Sequence, residues 1–81
     1  MLCSIELYAG PDDGVTIDMY APTSNEIPEI IRVSRDFPNC YAPDYFFRSW
    51  DPSAVAVAFR AYRRTDRVSD RGRRIYQWEA E

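Results

Sequence analysis

The stretch Ser4-Ile5-Glu6-Leu7-Tyr8-Ala9-Gly10-Pro11-Asp12-Asp13-Gly14-Val15-Thr16-Ile17-Asp18-Met19-Tyr20 holds two β-type segments on either side of a turn. In the second segment Val15, Ile17 and Met19 fall on one face and Thr16, Asp18 and Tyr20 on the other, the period of two expected of a half-buried strand. Ser4–Ala9 alternates in part. Between them, Pro11 presets the φ of a turn's second position, Asp12 and Asp13 tolerate turn conformations, and Gly14 can take a positive φ. The whole stretch predicts an antiparallel hairpin turning at Gly10–Gly14.

Downstream, Ala21-Pro22-Thr23-Ser24-Asn25 has the composition of a loop. Glu29–Val33 is a β-branched run that predicts a third strand, and Pro28 just before it argues for an edge position or a strand beginning. Phe37–Pro43 breaks regularity, and Tyr45–Trp50 reads as a fourth, short strand.

The segment 54–64 supports two readings. Asp51 and Pro52 could cap and open a helix, with Val55, Ala58, Phe59 and Tyr62 aligned on one side. With period two, Val55, Val57, Phe59 and Ala61 share a face, against the small Ala54, Ala56 and Ala58. The alternation is tighter, and the β-rich run Arg73–Trp78 follows a polar loop ending in Gly72. A second hairpin turning at Thr65–Gly72 is therefore expected. Pairing Arg64 with Arg73 would set Phe59 opposite Trp78 and Ala61 opposite Tyr76 on one core-directed face, and a slip of one residue would spoil both faces. The expected fold is mainly β: a small antiparallel sheet of four to five strands in two hairpins, curled or barrel-like. An α+β fold with a helix at 52–66 is the alternative.

At 81 residues the chain makes one domain, 1–81, with no room for a second core. It is 46% hydrophobic, too apolar for disorder, and no apolar run approaches the roughly 20 residues that span a bilayer. The first residues have neither a basic region nor a continuous apolar one, so no signal peptide, a cytoplasmic address and no membrane partner are expected. Cys3 and Cys40 read as free thiols. All ten basic residues are Arg, with no His and no Lys. That removes the commonest general base and metal ligand, along with Schiff-base chemistry. Charge is lopsided: residues 1–51 carry nine acids against three Arg, a net of −6, and residues 52–81 carry seven Arg against four acids, a net of +3.

Three features occur in a fixed order: the Gly10-Pro11-Asp12-Asp13-Gly14 turn, the short strand Ile30-Ile31-Arg32-Val33, and the C-terminal pattern Tyr62-Arg63-Arg64…Gly72-Arg73-Arg74-Ile75-Tyr76-Gln77-Trp78. Together they resemble a group of very short, uncharacterised phage and bacterial proteins with a Gly-Gly-Pro-x-Asp-Gly turn near the start and a tyrosine-flanked hairpin near the end. The resemblance covers most of the chain except about 34–53, which looks like an insertion. It departs at Ala9, where the group tends to have a second Gly. It implies a small β-rich fold and carries no activity or catalytic residue.

Two clusters are candidates for function. Arg60, Arg63, Arg64, Arg67, Arg71, Arg73 and Arg74 gather near the C-terminus; Arg forks bind phosphate bidentately, and Tyr62 or Tyr76 could stack on a base. Arg60, Arg63, Arg64, Arg73, Arg74 and Tyr62 are thus the candidate contacts for nucleic acid or another anion. The negative net charge and the interspersed Asp66 and Asp70 weigh against this, and charged hairpins also guard sheet edges. The second cluster is Phe37, Tyr41, Tyr45, Phe46, Phe47 and Trp50, rings that either cover the open face of the sheet or form a protein interface, with a second copy or another protein. Adjacent Asp12 and Asp13 read as a structural turn rather than a calcium or glycosidase pair, and neither Cys has a His partner. No cofactor, metal or catalytic residue is expected. The leading reading is a non-enzymatic interaction module, protein-binding or self-associating. An accessory nucleic-acid-binding protein comes second and a carboxylate-dependent hydrolase third.

Overall fold

The computed structural model describes residues 2–21, 26–37 and 39–79. The first hairpin forms as its pattern requires. Strand β1 (Leu2–Tyr8) pairs antiparallel with β2 (Thr16–Tyr20), with Leu2 opposite Tyr20 and Ile5 opposite Ile17. The turn is closed by Leu7 N–H donating to the Val15 carbonyl and Gly14 N–H donating to that of Leu7, both at 2.8 Å. Ala9 and Gly10 both take positive φ, 66° and 73°, which reverses the chain inside the turn. Ile5, Leu7, Ile17 and Met19 are buried on the shared inner face.

Strand β3 (Ile30–Ser34) begins two residues after Pro28, as a strand beginning should. It is not an edge strand, because β5 flanks it on one side and β4 on the other. Strand β4 is Tyr41–Pro43, within the stretch expected to be irregular. The strand expected over 45–50 does not form. Asp44–Phe47 is a 3-10 helix, and Arg48 and Ser49 continue it as a turn. Pro43 ends β4 because it has no N–H to extend the ladder.

Over 54–64 both readings hold, one after the other. Helix α1 (Pro52–Ala58) is capped by Asp51, whose Oδ1 accepts from Ser53 N–H at 3.0 Å, and Pro52 sits in its first turn. Strand β5 (Phe59–Val68) follows with no intervening loop. It pairs with β6 (Arg74–Trp78) around a turn in which Ser69 N–H donates to the Arg73 carbonyl, tighter than the expected Thr65–Gly72 loop.

The expected register of this second hairpin is corrected. Tyr62 lies opposite Trp78, Arg63 opposite Gln77 and Arg64 opposite Tyr76, with a bulge between Arg64 and Val68. The helix uses up the alanine-rich half of the alternating run, so Phe59 starts the strand rather than facing Trp78. The face that packs with Tyr76 and Trp78 therefore carries Arg60, Tyr62 and Arg64. Phe59 turns to the opposite face and stacks on Phe47, ring centroids 4.7 Å apart.

The described strands form one six-stranded sheet in the order β2-β1-β6-β5-β3-β4. Four pairings are antiparallel, and β1 with β6 is parallel, so the sheet is mixed rather than wholly antiparallel. It curls into a half-barrel around Ile5, Leu7, Ile17, Met19, Ile31, Val33, Tyr62 and Tyr76. The two edge strands face each other across the open side. There the Tyr41 hydroxyl donates to the Asp18 carbonyl at 3.1 Å.

Candidate functional site

The aromatic residues from 37 to 50 divide between packing and exposure. Phe47 is 7% exposed, whereas Tyr45, Phe46 and Trp50 are 63%, 59% and 48% exposed. Their geometry follows from the 3-10 helix after Pro43. A turn that tight cannot bury every ring, so it commits Phe47 inward and holds its neighbours out. Phe47 meets Trp50 edge to face, centroids 5.0 Å apart at 82°, and Phe46 lies 5.2 Å from Phe47 at 83°.

The base of this segment is anchored from three directions. Arg32 Nε donates to Asp44 Oδ1 at 2.7 Å, Phe59 supports Phe47 from the sheet, and Val55 of α1 is buried. Tyr45, Arg48 and Trp50 flank a cleft of about 220 Å3 with Phe47 and Val55 at its base. A second cleft, about 260 Å3, lies between Met19, Tyr20, Ile31, Tyr41, Pro43 and Tyr45. Both fall below the roughly 300 Å3 at which small-molecule pockets begin. They suit single side chains of a partner better than a whole ligand. Of the other two residues in the expected interface, Phe37 is 63% exposed in the chain before β4, and Tyr41 is half-buried with its hydroxyl on Asp18.

The structure does not bring the arginine candidates onto one surface. Arg60 faces inward, with Nη1 3.3 Å from Asp12 Oδ2 and 3.3 Å from the Arg35 carbonyl. Tyr62 is fully buried and donates to Asp12 Oδ2 at 3.3 Å, so it has no ring face to offer a base. Burial, and then the charge of Asp12, pushes its hydroxyl pKa up to about 12. Arg64 donates to the Ile27 carbonyl at 2.6 Å and Arg74 to that of Thr65 at 3.2 Å. Arg63 lies on the opposite face of β5 between Glu29 and Glu79, and bonds both. Arg73 is half-buried in the β5–β6 turn. Of the remainder, Arg67 stacks over the Tyr8 ring at 5.0 Å and Arg71 is exposed.

Asp12 is the residue that sequence reasoning undervalued. It and Asp13, though adjacent in the turn, do different work. Asp13 Oδ1 accepts from Ala9 N–H at 2.7 Å, whereas Asp12, 6% exposed, reaches down to Arg60 and Tyr62 on β5. The available signal was Arg60 itself, a lone charge interrupting the apolar run before it, which a strand face cannot bury without a partner.

Among the described residues no three His, Cys, Asp or Glu side chains gather as a metal site, and no helix is long and apolar enough to cross a membrane. Cys3 is half-buried and Cys40 exposed, and they are not bridged. Comparison with protein-family models, with curated proteins and with solved structures finds no match to this chain.

Proposed function

We propose that this chain is a non-catalytic protein-binding module whose contact surface is the aromatic face of Tyr45, Phe46 and Trp50. One observation carries the reading: three large rings stay exposed on a segment pinned from beneath by Phe47, Phe59 and the Arg32–Asp44 pair. A loose loop could fold its rings onto the sheet, but this one is held away from it. Preorganised aromatic and Arg side chains around a small cleft are the composition of an interface hot spot. The expected occupant is a different protein that places an apolar side chain between Tyr45 and Trp50.

The nucleic-acid reading has less support. Tyr62 is internal, Arg60, Arg63, Arg64 and Arg74 have partners within the chain, and the net charge is −3.

The test is affinity capture from native cell extract with the wild-type chain and with a Phe46→Ala, Trp50→Ala variant, each with and without nuclease. A retained protein that survives nuclease and is lost with the variant is expected. Retention unchanged by the variant would overturn the reading. Retention abolished by nuclease would replace it with a nucleic-acid role for Arg67, Arg71 and Arg73. Light scattering over a concentration series identifies a second copy as the occupant if a dimer forms and the same variant dissolves it.

A further inference from the structure

We propose that the seam between β2 and β4 receives an extended, basic segment of the partner, added as a strand along β2. This rests on the protein-binding reading and names the form of the partner. The sheet order leaves β2 and β4 as edges, and curling turns them toward each other without a shared ladder. The Leu7–Val15 bond sets the alternation in the first hairpin. The backbone groups of Val15, Ile17 and Met19 turn toward β1, so those of Thr16, Asp18 and Tyr20 turn toward the seam. The Asp18 carbonyl that Tyr41 meets is one of these. A row of edge N–H and C=O groups is a template for an incoming extended chain.

The seam is also shaped and charged for such a segment. Met19, Ile31 and Pro43 line its cleft, and Tyr20, 85% exposed, stands at its rim. Tyr45 borders both this cleft and the one beside Trp50, so the seam runs into the aromatic face. Glu26, on the cleft wall, and Asp18, on the β2 edge with Oδ1 accepting from Ser4 Oγ of β1, form no ion pair among the described residues. Arg32 on β3 is already paired with Asp44, Arg64 rests on the Ile27 carbonyl, and the charged side chain that lines the cleft is that of Glu26. The unneutralised charge of the seam is therefore acidic, which calls for lysine or arginine on the incoming strand. A second copy cannot supply one: its arginine-bearing strands β3, β5 and β6 are each paired on both sides.

The probe is a short, end-blocked synthetic peptide of alternating valine and lysine, followed by fluorescence anisotropy and by amide exchange. Saturable binding with new protection at Thr16, Asp18 and Tyr20 is expected. Thr16→Pro removes one seam-facing N–H while leaving the β1 pairing intact, and should weaken binding about tenfold, the loss of roughly one hydrogen bond. Tyr41→Phe frees the Asp18 carbonyl and should tighten it. Glu26→Arg, at an exposed position, should weaken it and admit a valine–glutamate peptide instead, a check independent of any effect of proline on folding. No binding of the valine–lysine peptide, or binding without protection of the β2 amides, would overturn the proposal. Repeating the extract capture with Thr16→Pro separates the two readings. Capture kept by Thr16→Pro but lost with Trp50→Ala removes the strand and leaves the aromatic face; the opposite result keeps the strand and removes the face.

Discussion

Ala9 and Gly10 sit side by side in the left-handed region, and only one of them is suited to it. An L-residue with a Cβ pays about 1–2 kcal/mol there. Replacing Ala9 with glycine should therefore stabilise the fold by about 0.5–1 kcal/mol after the added chain entropy is counted, read as a higher urea midpoint. Gly10→Ala should do the reverse, losing about 2 kcal/mol or more: its Cβ would lie 2.5 Å from Trp78 Cδ2 at a φ of +73°. Asp12 holds Arg60 and Tyr62 from the same turn. Asp12→Ala leaves a largely buried guanidinium without its carboxylate, and about 3 kcal/mol of destabilisation is expected. Adding Arg60→Met to that variant should restore much of the loss, a coupling that a double-mutant cycle by chemical denaturation would read. The glycine-proline-aspartate turn was legible in sequence. The partner of Asp12 was not, because it lies 48 residues away on β5.

At the scale of elements, the informative case is the passage from α1 into β5. Asp51 and Pro52 specify a helix start, and the β-branched and aromatic residues after Ala58 favour a strand. Each local preference was readable, but the point of exchange between them was not, and the hairpin register depends on that point. Asp51→Ala should cost about 1 kcal/mol by removing the cap of a helix only seven residues long. Circular dichroism would show the lost helix, and the fluorescence of Trp50, which lines the same cleft as Val55, should shift with it. The aromatic face has a similar history. Its residues were singled out from composition, yet their division into one buried ring and three exposed ones follows from a 3-10 helix where a strand was expected.

For the molecule as a whole, the curled sheet buries two tyrosines that titrate late. Burial raises the hydroxyl pKa of both Tyr62 and Tyr76 to about 12. The unfolded chain releases these protons near the ordinary value of 10, so between about 10 and 12 it binds fewer protons than the folded one. Stability should be unaffected by these groups below about pH 10. Above it, stability should fall by up to roughly 1.4 kcal/mol per pH unit for each ring, levelling off above 12. Tyrosinate absorbance in an alkaline titration should show these two rings ionising last, together with loss of the fold. Tyr62→Phe removes one of the two contributions and should flatten the slope.

Short-range pattern was enough to specify the first hairpin, its turn, the start of β3 and the mainly β character of the chain. Each of these rests on interactions within a few residues: alternation against one face, proline and glycine dihedrals, strand propensity. The parallel pairing of β1 with β6, the inward turn of Arg60 and Tyr62, the register of the second hairpin and the seam between β2 and β4 all came from packing. A period of two says which side chains share a face but not which face meets the core, and curling the sheet settled that by bringing Asp12 over β5. The opening hairpin thus supplies the half-barrel with its first two strands and one wall of its seam, and with the carboxylate that lets a buried arginine stay there.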